Sequence, residues 1–128
     1  MNTVIVILGA GLGGGIRHGI NVAVTRLLPG FGFPLATLII NVLGSFLMGV
    51  LVESFALRGA AGHPARLFLT TGVLGGFTTF STFSLDAISL YHRGEPAVAA
   101  LYVAVSVAGG LLGLVAGMAL MRTVLSGG

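Results

Sequence analysis

The chain has 128 residues, a net charge of +3 and only 7% charged residues, against about 25% in an ordinary soluble domain. With 55% hydrophobic residues and a mean hydropathy of +1.09, it cannot clothe a water-facing surface, so it is read as a single integral membrane domain. Cysteine is absent, which excludes disulfides and thiolate metal sites. The six basic residues are arginines scattered near span ends and form no stripe, which argues against nucleic acid.

A membrane helix needs about 20 mostly apolar residues. Four segments qualify: residues 3–28, 34–56, 65–91 and 96–121. The expected fold is therefore all-α, with four transmembrane helices. The first span opens without a basic residue in Met1-Asn2-Thr3 and is kept as a span, not a signal peptide. Its sequence VIVIL-GAGLGG matches a strand followed by GxGxxG. However, the acidic residue that a dinucleotide site needs about 20 positions later is missing, because the first acid is Glu53. Helix packing explains these glycines better. Gly11, Gly15 and Gly19 recur every fourth residue, as do Gly109, Gly113 and Gly117 in the last span, and small-xxx-small stripes let membrane helices approach closely, within or between subunits.

The second span begins with Pro34 in its first turn and carries Thr37, Asn41 and Ser45 on one face. The fourth opens with Pro96 and carries Tyr102 and Ser106 on one face. The third is the most unusual. Residues 75–84 read GGFTTFSTFS, with two glycines, five hydroxyls and three phenylalanines. Glycine and β-branched threonine weaken the helix there, so a break is expected within residues 75–79. Polar stripes on three helices at similar depth suggest an ion path. The donors favour an anion, because amide N–H, hydroxyl O–H and the positive edges of Phe80 and Phe83 can all face negative charge. No arginine or lysine ring sits at mid-span to bind an anion too tightly. Carbonyls released by the break could instead hold a cation.

Asp86 and Glu53 are expected to be hydrated and interfacial, with Asp86 a possible border of the path. His18, His63 and His92 are expected near span ends. No nucleophile sits beside a base, so an enzyme is not expected. Four spans put both termini on one face, with Arg58, Arg66 and Arg122 there. Arg26 and Arg93 lie opposite, with Arg17 if it snorkels that way. Three against two or three fixes no orientation under the positive-inside rule, which leaves either an orientation decided by the insertion machinery or dual insertion with antiparallel pairing.

The 75–84 run resembles the third-helix signature of the Fluc (CrcB) fluoride channel family. The Asn41-x-x-Gly44-Ser45-Phe46 run resembles its second-helix motif, and Gly-x-x-x-Arg17 fits its first helix. The resemblance covers the whole chain. It implies a passive, fluoride-selective channel of the bacterial or archaeal inner membrane that exports cytoplasmic fluoride. It also implies an antiparallel, dual-topology homodimer with two pores in the lipid bilayer, and it implies no particular further protein partner. Phe80 and Phe83 would be pore-lining rings and Asn41 the pore asparagine. Ser81, Thr82, Thr37, Tyr102 and Ser106 would lie along a polar track. Backbone carbonyls of Gly75 and Thr78 from both chains would hold a structural sodium ion, and Arg17 would lie near the aqueous vestibule. One departure is Gly110, where some relatives carry a hydroxyl one turn beyond Ser106, so another group or water lines that end of the track.

Two other classes compete. A four-helix proton-coupled drug exporter should carry an intramembrane carboxylate in span one, and none is there. A non-transporting membrane subunit would use the glycine stripes but leave the 75–84 pattern unexplained.

Overall fold

A computed structural model describes residues 1–126. Among these residues every regular element is helical. They are α1 (Asn2–Leu27), α2 (Leu35–Leu57), α3 (Pro64–Leu67), a π-helical segment (Phe68–Leu74), α4 (Gly75–Phe77), α5 (Phe80–His92) and α6 (Pro96–Ser126). Helices α1, α2 and α6 are each long and apolar enough to cross a membrane. Leu8, Leu12, Leu111, Leu112 and Val115 are exposed on their outer faces, which suits hydrocarbon or another subunit and not water. The protein is a multi-pass membrane protein.

The helix ends follow local chemistry. Helix α2 closes with Gly59 in the left-handed region at φ +66. The Gly59 N–H donates to Ala56 O, and the Ala60 N–H to Phe55 O, the paired bonds of a Schellman cap. Helix α5 ends the same way at Gly94, whose φ is +80, with Gly94 N–H to Tyr91 O and Glu95 N–H to Leu90 O. Pro64 and Pro96 open α3 and α6, and Pro34 stands one residue before α2.

Helix α1 runs unbroken through Arg17 and His18. His18 therefore lies inside a helix and is exposed, not at a span end as expected. The glycines of α1 also divide differently from the expected stripe. A Cβ at Gly11, Gly15 or Gly19 would meet no atom within 4 Å. The packing glycines are Gly9 and Gly13. A Cβ at Gly9 would lie 2.8 Å from Phe68 O and 2.9 Å from Gly72 Cα, and one at Gly13 would collide with Val73 O. Gly76 is held equally close by Ala10 O. These contacts seat α1 on the π-helical segment and α4. The last-span stripe packs as expected. Gly113 and Gly117 face the backbone of α2 near Val42 and Phe46, and Gly49 returns the contact against Leu114. Val42 and Phe46 therefore climb α2 in step with Gly109 and Gly117 on α6, so the two helices run parallel.

The core has two centres. Ile40, Leu74 and Phe77 form one, with Ile20, Met48 and Leu51 around it. Leu90, Ala99 and Tyr102 form the other, with Phe33, Leu38 and Phe83 packed against it. The site lies between them.

Candidate functional site

The helix that begins at Pro64 stops at Phe77. Thr78 and Thr79 are extended, with φ/ψ of −81/159 and −149/122. Thr79 then caps α5, its Oγ1 accepting from the Thr82 N–H at 3.2 Å. The interruption falls where Gly75, Gly76 and the Thr78-Thr79 pair weaken the helix, while the π-helical stretch upstream has no counterpart in the sequence reading.

Asn41 of α2 holds the extended strand in place. Its Nδ2 donates to Thr79 O at 2.9 Å, and the Thr79 N–H donates to its Oδ1 at 2.8 Å. The two bonds fix the amide orientation, because only the oxygen can accept and only the nitrogen can donate. One Nδ2 hydrogen is left over. Asn41 thus differs from the expected simple anion ligand: most of its capacity clamps the backbone. In a continuous helix the Thr79 N–H would reach the Gly75 carbonyl, and the Thr82 N–H would reach the Thr78 carbonyl. Both donors are diverted, to Asn41 Oδ1 and Thr79 Oγ1, so the carbonyls of Gly75 and Thr78 are released together. Gly44, one turn from Asn41 toward the break, explains the glycine of the second-helix motif. A Cβ there would collide with Thr78 Cγ2 and lie 3.3 Å from Phe77 Cδ2.

A groove of about 380 Å³ runs beside the break. Its walls include Asn41, Ser45, Thr79, Phe80, Phe83, Ser106 and Gly110. Phe80 is 79% exposed, and its ring lies 5.8 Å from that of Phe83. Phe83 stands 5.3 Å from Tyr102, and Phe33 meets the other side of Tyr102 edge-on at 5.5 Å. Ser106 is 9% exposed, and its hydroxyl has no partner among the described residues.

Thr37, Thr82 and Asp86 line a second cavity of about 250 Å³, with Asn21 and Thr25 of α1. Here Thr37 Oγ1 donates to Asp86 Oδ2 at 2.7 Å, and the Tyr102 hydroxyl donates to the same oxygen at 3.3 Å. Tyr102 is wholly buried and touches a wall residue of each cavity, Phe83 on one side and Asp86 on the other. The hydroxyl protons of Thr37 and Tyr102, expected as donors on a track, are committed to Asp86 in this arrangement. Asp86 is not a free hydrated carboxylate. Neither is Glu53, which is buried and pairs with Arg122 through Nε–Oε1 and Nη2–Oε2 contacts of 3.4 Å each. Their partners lie 49, 16 and 69 residues away in sequence, too far for local spacing to reveal.

The remaining expected residues are scattered. Ser81 is exposed and Arg17 half-buried, and neither is in the wall of either cavity. The Arg17 Nε is buried without a partner among the described residues. The structure therefore brings Asn41, Phe80, Phe83 and Ser106 together at one cavity and Thr37, Thr82 and Asp86 at the other, with Tyr102 between. Ser45, expected on the polar stripe with Asn41, stands in the wall of the first cavity, and Asp86, expected as a possible border of the path, in that of the second.

Unpaired donors, two phenylalanine rings and an interrupted helix thus meet at one groove of an apolar bundle. The family model described as CrcB-like protein, Camphor Resistance (CrcB), matches residues 4–118. The chain belongs to the CrcB family, a family of ion channels and not of enzymes. It is 57% identical over 122 residues to the fluoride-specific ion channel FluC of Methylobacterium nodulans, covering 95% of this chain and 97% of that one. It is 52% identical over 124 residues to FluC of Rhodopseudomonas palustris, covering 97% and 99%. It is 51% identical over 122 residues to FluC 2 of Nitrobacter hamburgensis, covering 95% and 98%.

Proposed function

We propose that this protein is a fluoride-selective channel that lets fluoride leave the cytoplasm passively across the inner membrane. The observation that carries the reading is the groove at the helix break, whose wall holds Ser106 with its unpartnered buried hydroxyl, Asn41 with a spare N–H, and the rings of Phe80 and Phe83. The family relatives named as fluoride-specific channels support it. Fluoride sheds water on entering. The donors and ring edges replace that water, and they favour the smaller anion because its charge is more concentrated. Thr37, Thr82, Tyr102 and Ser81 belong to the continuation of the track, and Arg17 to its vestibule.

The residues 64–92 together form the third of four spans, broken at membrane depth, and two copies pair antiparallel. The groove is open along one side of a single chain, and Phe80 at its edge needs a covering surface. The Gly11, Gly15 and Gly19 face is likewise free of contacts within the chain. A structural sodium ion fits the released carbonyls of Gly75 and Thr78, since hard cations take neutral oxygen donors. When bound, it would supply a positive charge at the interrupted helix, held by those carbonyls.

The test is efflux from liposomes containing purified protein, read with a fluoride electrode and repeated with chloride. Rapid fluoride release without chloride release is expected. No fluoride release, or equal chloride release, would sink the proposal.

A further inference from the structure

One face of α2 repeats every four residues as Thr37, Asn41 and Ser45, the last two in the groove wall. The face of α6 that runs parallel to it repeats as Tyr102, Ser106 and Gly110. Each rung of α2 therefore bears a polar side chain, while the third rung of α6 bears none. At that rung a Cβ on Gly110 would lie 3.5 Å from Ser45 Oγ, so the serine hydroxyl stands against the space that the glycine leaves. Both residues are in the groove wall with Asn41 and Ser106.

Hydroxyls inside helices commonly turn back onto the carbonyl four residues earlier. Thr25, Thr70, Thr78, Ser84 and Thr123 all do so here, at 2.7–3.0 Å. The Ser45 hydroxyl makes no hydrogen bond among the described residues, nor does that of Ser106. An unpaired hydroxyl at membrane depth is costly. The Ser106 hydroxyl is buried and the half-buried Ser45 lines the same groove one turn beyond it on the facing helix, so the two mark a place where something else accepts their protons. Thr37 and Tyr102 cannot serve that rung, because their protons go to Asp86.

We infer that Ser45 donates its hydroxyl proton to the permeating anion at the rung where α6 has only Gly110. This rests on the channel reading of the same groove. Ser45 takes the anion over from Asn41 and Ser106 one helical turn further along. Gly110 contributes the room for a bare ion and carries no donor.

The experiment measures fluoride efflux for S45A, S45V, S45T and the double variant S45A/G110S, each purified and reconstituted at equal density. Removing one donor from a desolvated ion should slow efflux about tenfold in S45A and S45V. S45T should keep a rate near wild type, because it keeps the hydroxyl in the shape that valine lacks. G110S placed on S45A should restore most of the lost rate from the opposite wall. Wild-type efflux in S45A, or equal slowing in S45T and S45V, would overturn the inference. So would failure of S45A and S45V to assemble while S45T assembles, since the hydroxyl would then be structural. Wild-type protein that releases no fluoride would instead remove the channel reading itself.

Discussion

Two parts of the molecule bring helices into backbone contact, and they do so with different consequences. Helices α2 and α6 meet through Gly49, Gly113 and Gly117, each set against the backbone of the partner, and both helices remain regular. Helix α1 meets the succession from Pro64 to Phe77 through Gly9, Gly13, Gly72 and Gly76, and there the backbone is π-helical and then breaks. Close approach therefore does not by itself distort a helix. What separates the two regions is the pair of extended threonines and the side chain that reaches across to hold them. The first pair is a frame. The second region is a backbone kept out of helical geometry by Asn41.

The largest effect that would break this distinction is at Asn41. In N41A the Thr79 N–H and carbonyl lose both partners at membrane depth, at a cost of about 1–3 kcal/mol for each group. Fluoride efflux should fall by about two orders of magnitude, since the path loses its shape as well as a donor, and the thermal midpoint in detergent should fall with it. Unchanged flux together with unchanged stability would mean that the break holds itself and that the clamp is incidental.

Much of this region was legible in the sequence, and the reasons for the rest are physical. The weakening at 75–79 could be read because glycine and threonine act locally on helix stability. The Thr37, Asn41 and Ser45 stripe could be read because helical periodicity is local too. What each side chain touches could not. Asn41 looks like a free donor until the diverted Thr79 amide, 38 residues away, is placed beside it. Glu53 and Asp86 look hydrated until Arg122, Thr37 and Tyr102 arrive. The two glycine stripes part in one respect: that of the last span packs within the chain, and that of α1 meets nothing within it. The spacing of Gly11, Gly15 and Gly19 is as regular as that of Gly109, Gly113 and Gly117, but spacing says nothing about which face meets a neighbour within the chain.

An intermediate effect is expected at Gly44, where the frame touches the break. Thr78 Oγ1 is bonded to Leu74 O at 3.0 Å, so its methyl cannot rotate out of the way of a new Cβ. G44A should therefore cost about 1–3 kcal/mol through overpacking and slow fluoride efflux about tenfold. The double variant G44A/T78S removes the obstructing methyl and keeps the hydroxyl. It should recover both stability and rate. If it recovers neither, the glycine is needed for some reason other than the fit of Thr78.

The smallest effect is expected far along the frame, at the Glu53–Arg122 pair. Its two contacts are long, at 3.4 Å, and the arginine side chain is 64% exposed. Exposed or half-exposed pairs contribute about 1 kcal/mol or less. Glutamine at position 53 keeps the shape and an oxygen that accepts from the guanidinium, and loses only the charge. E53Q should then shift stability by no more than about 1 kcal/mol and leave the fluoride rate and the exclusion of chloride unchanged. The measurement is worth making because it isolates the frame. A slowed or less selective E53Q channel would show that charge at the far end of α2 and α6 reaches the path, and that the two regions are one electrostatic unit and not a frame holding a break.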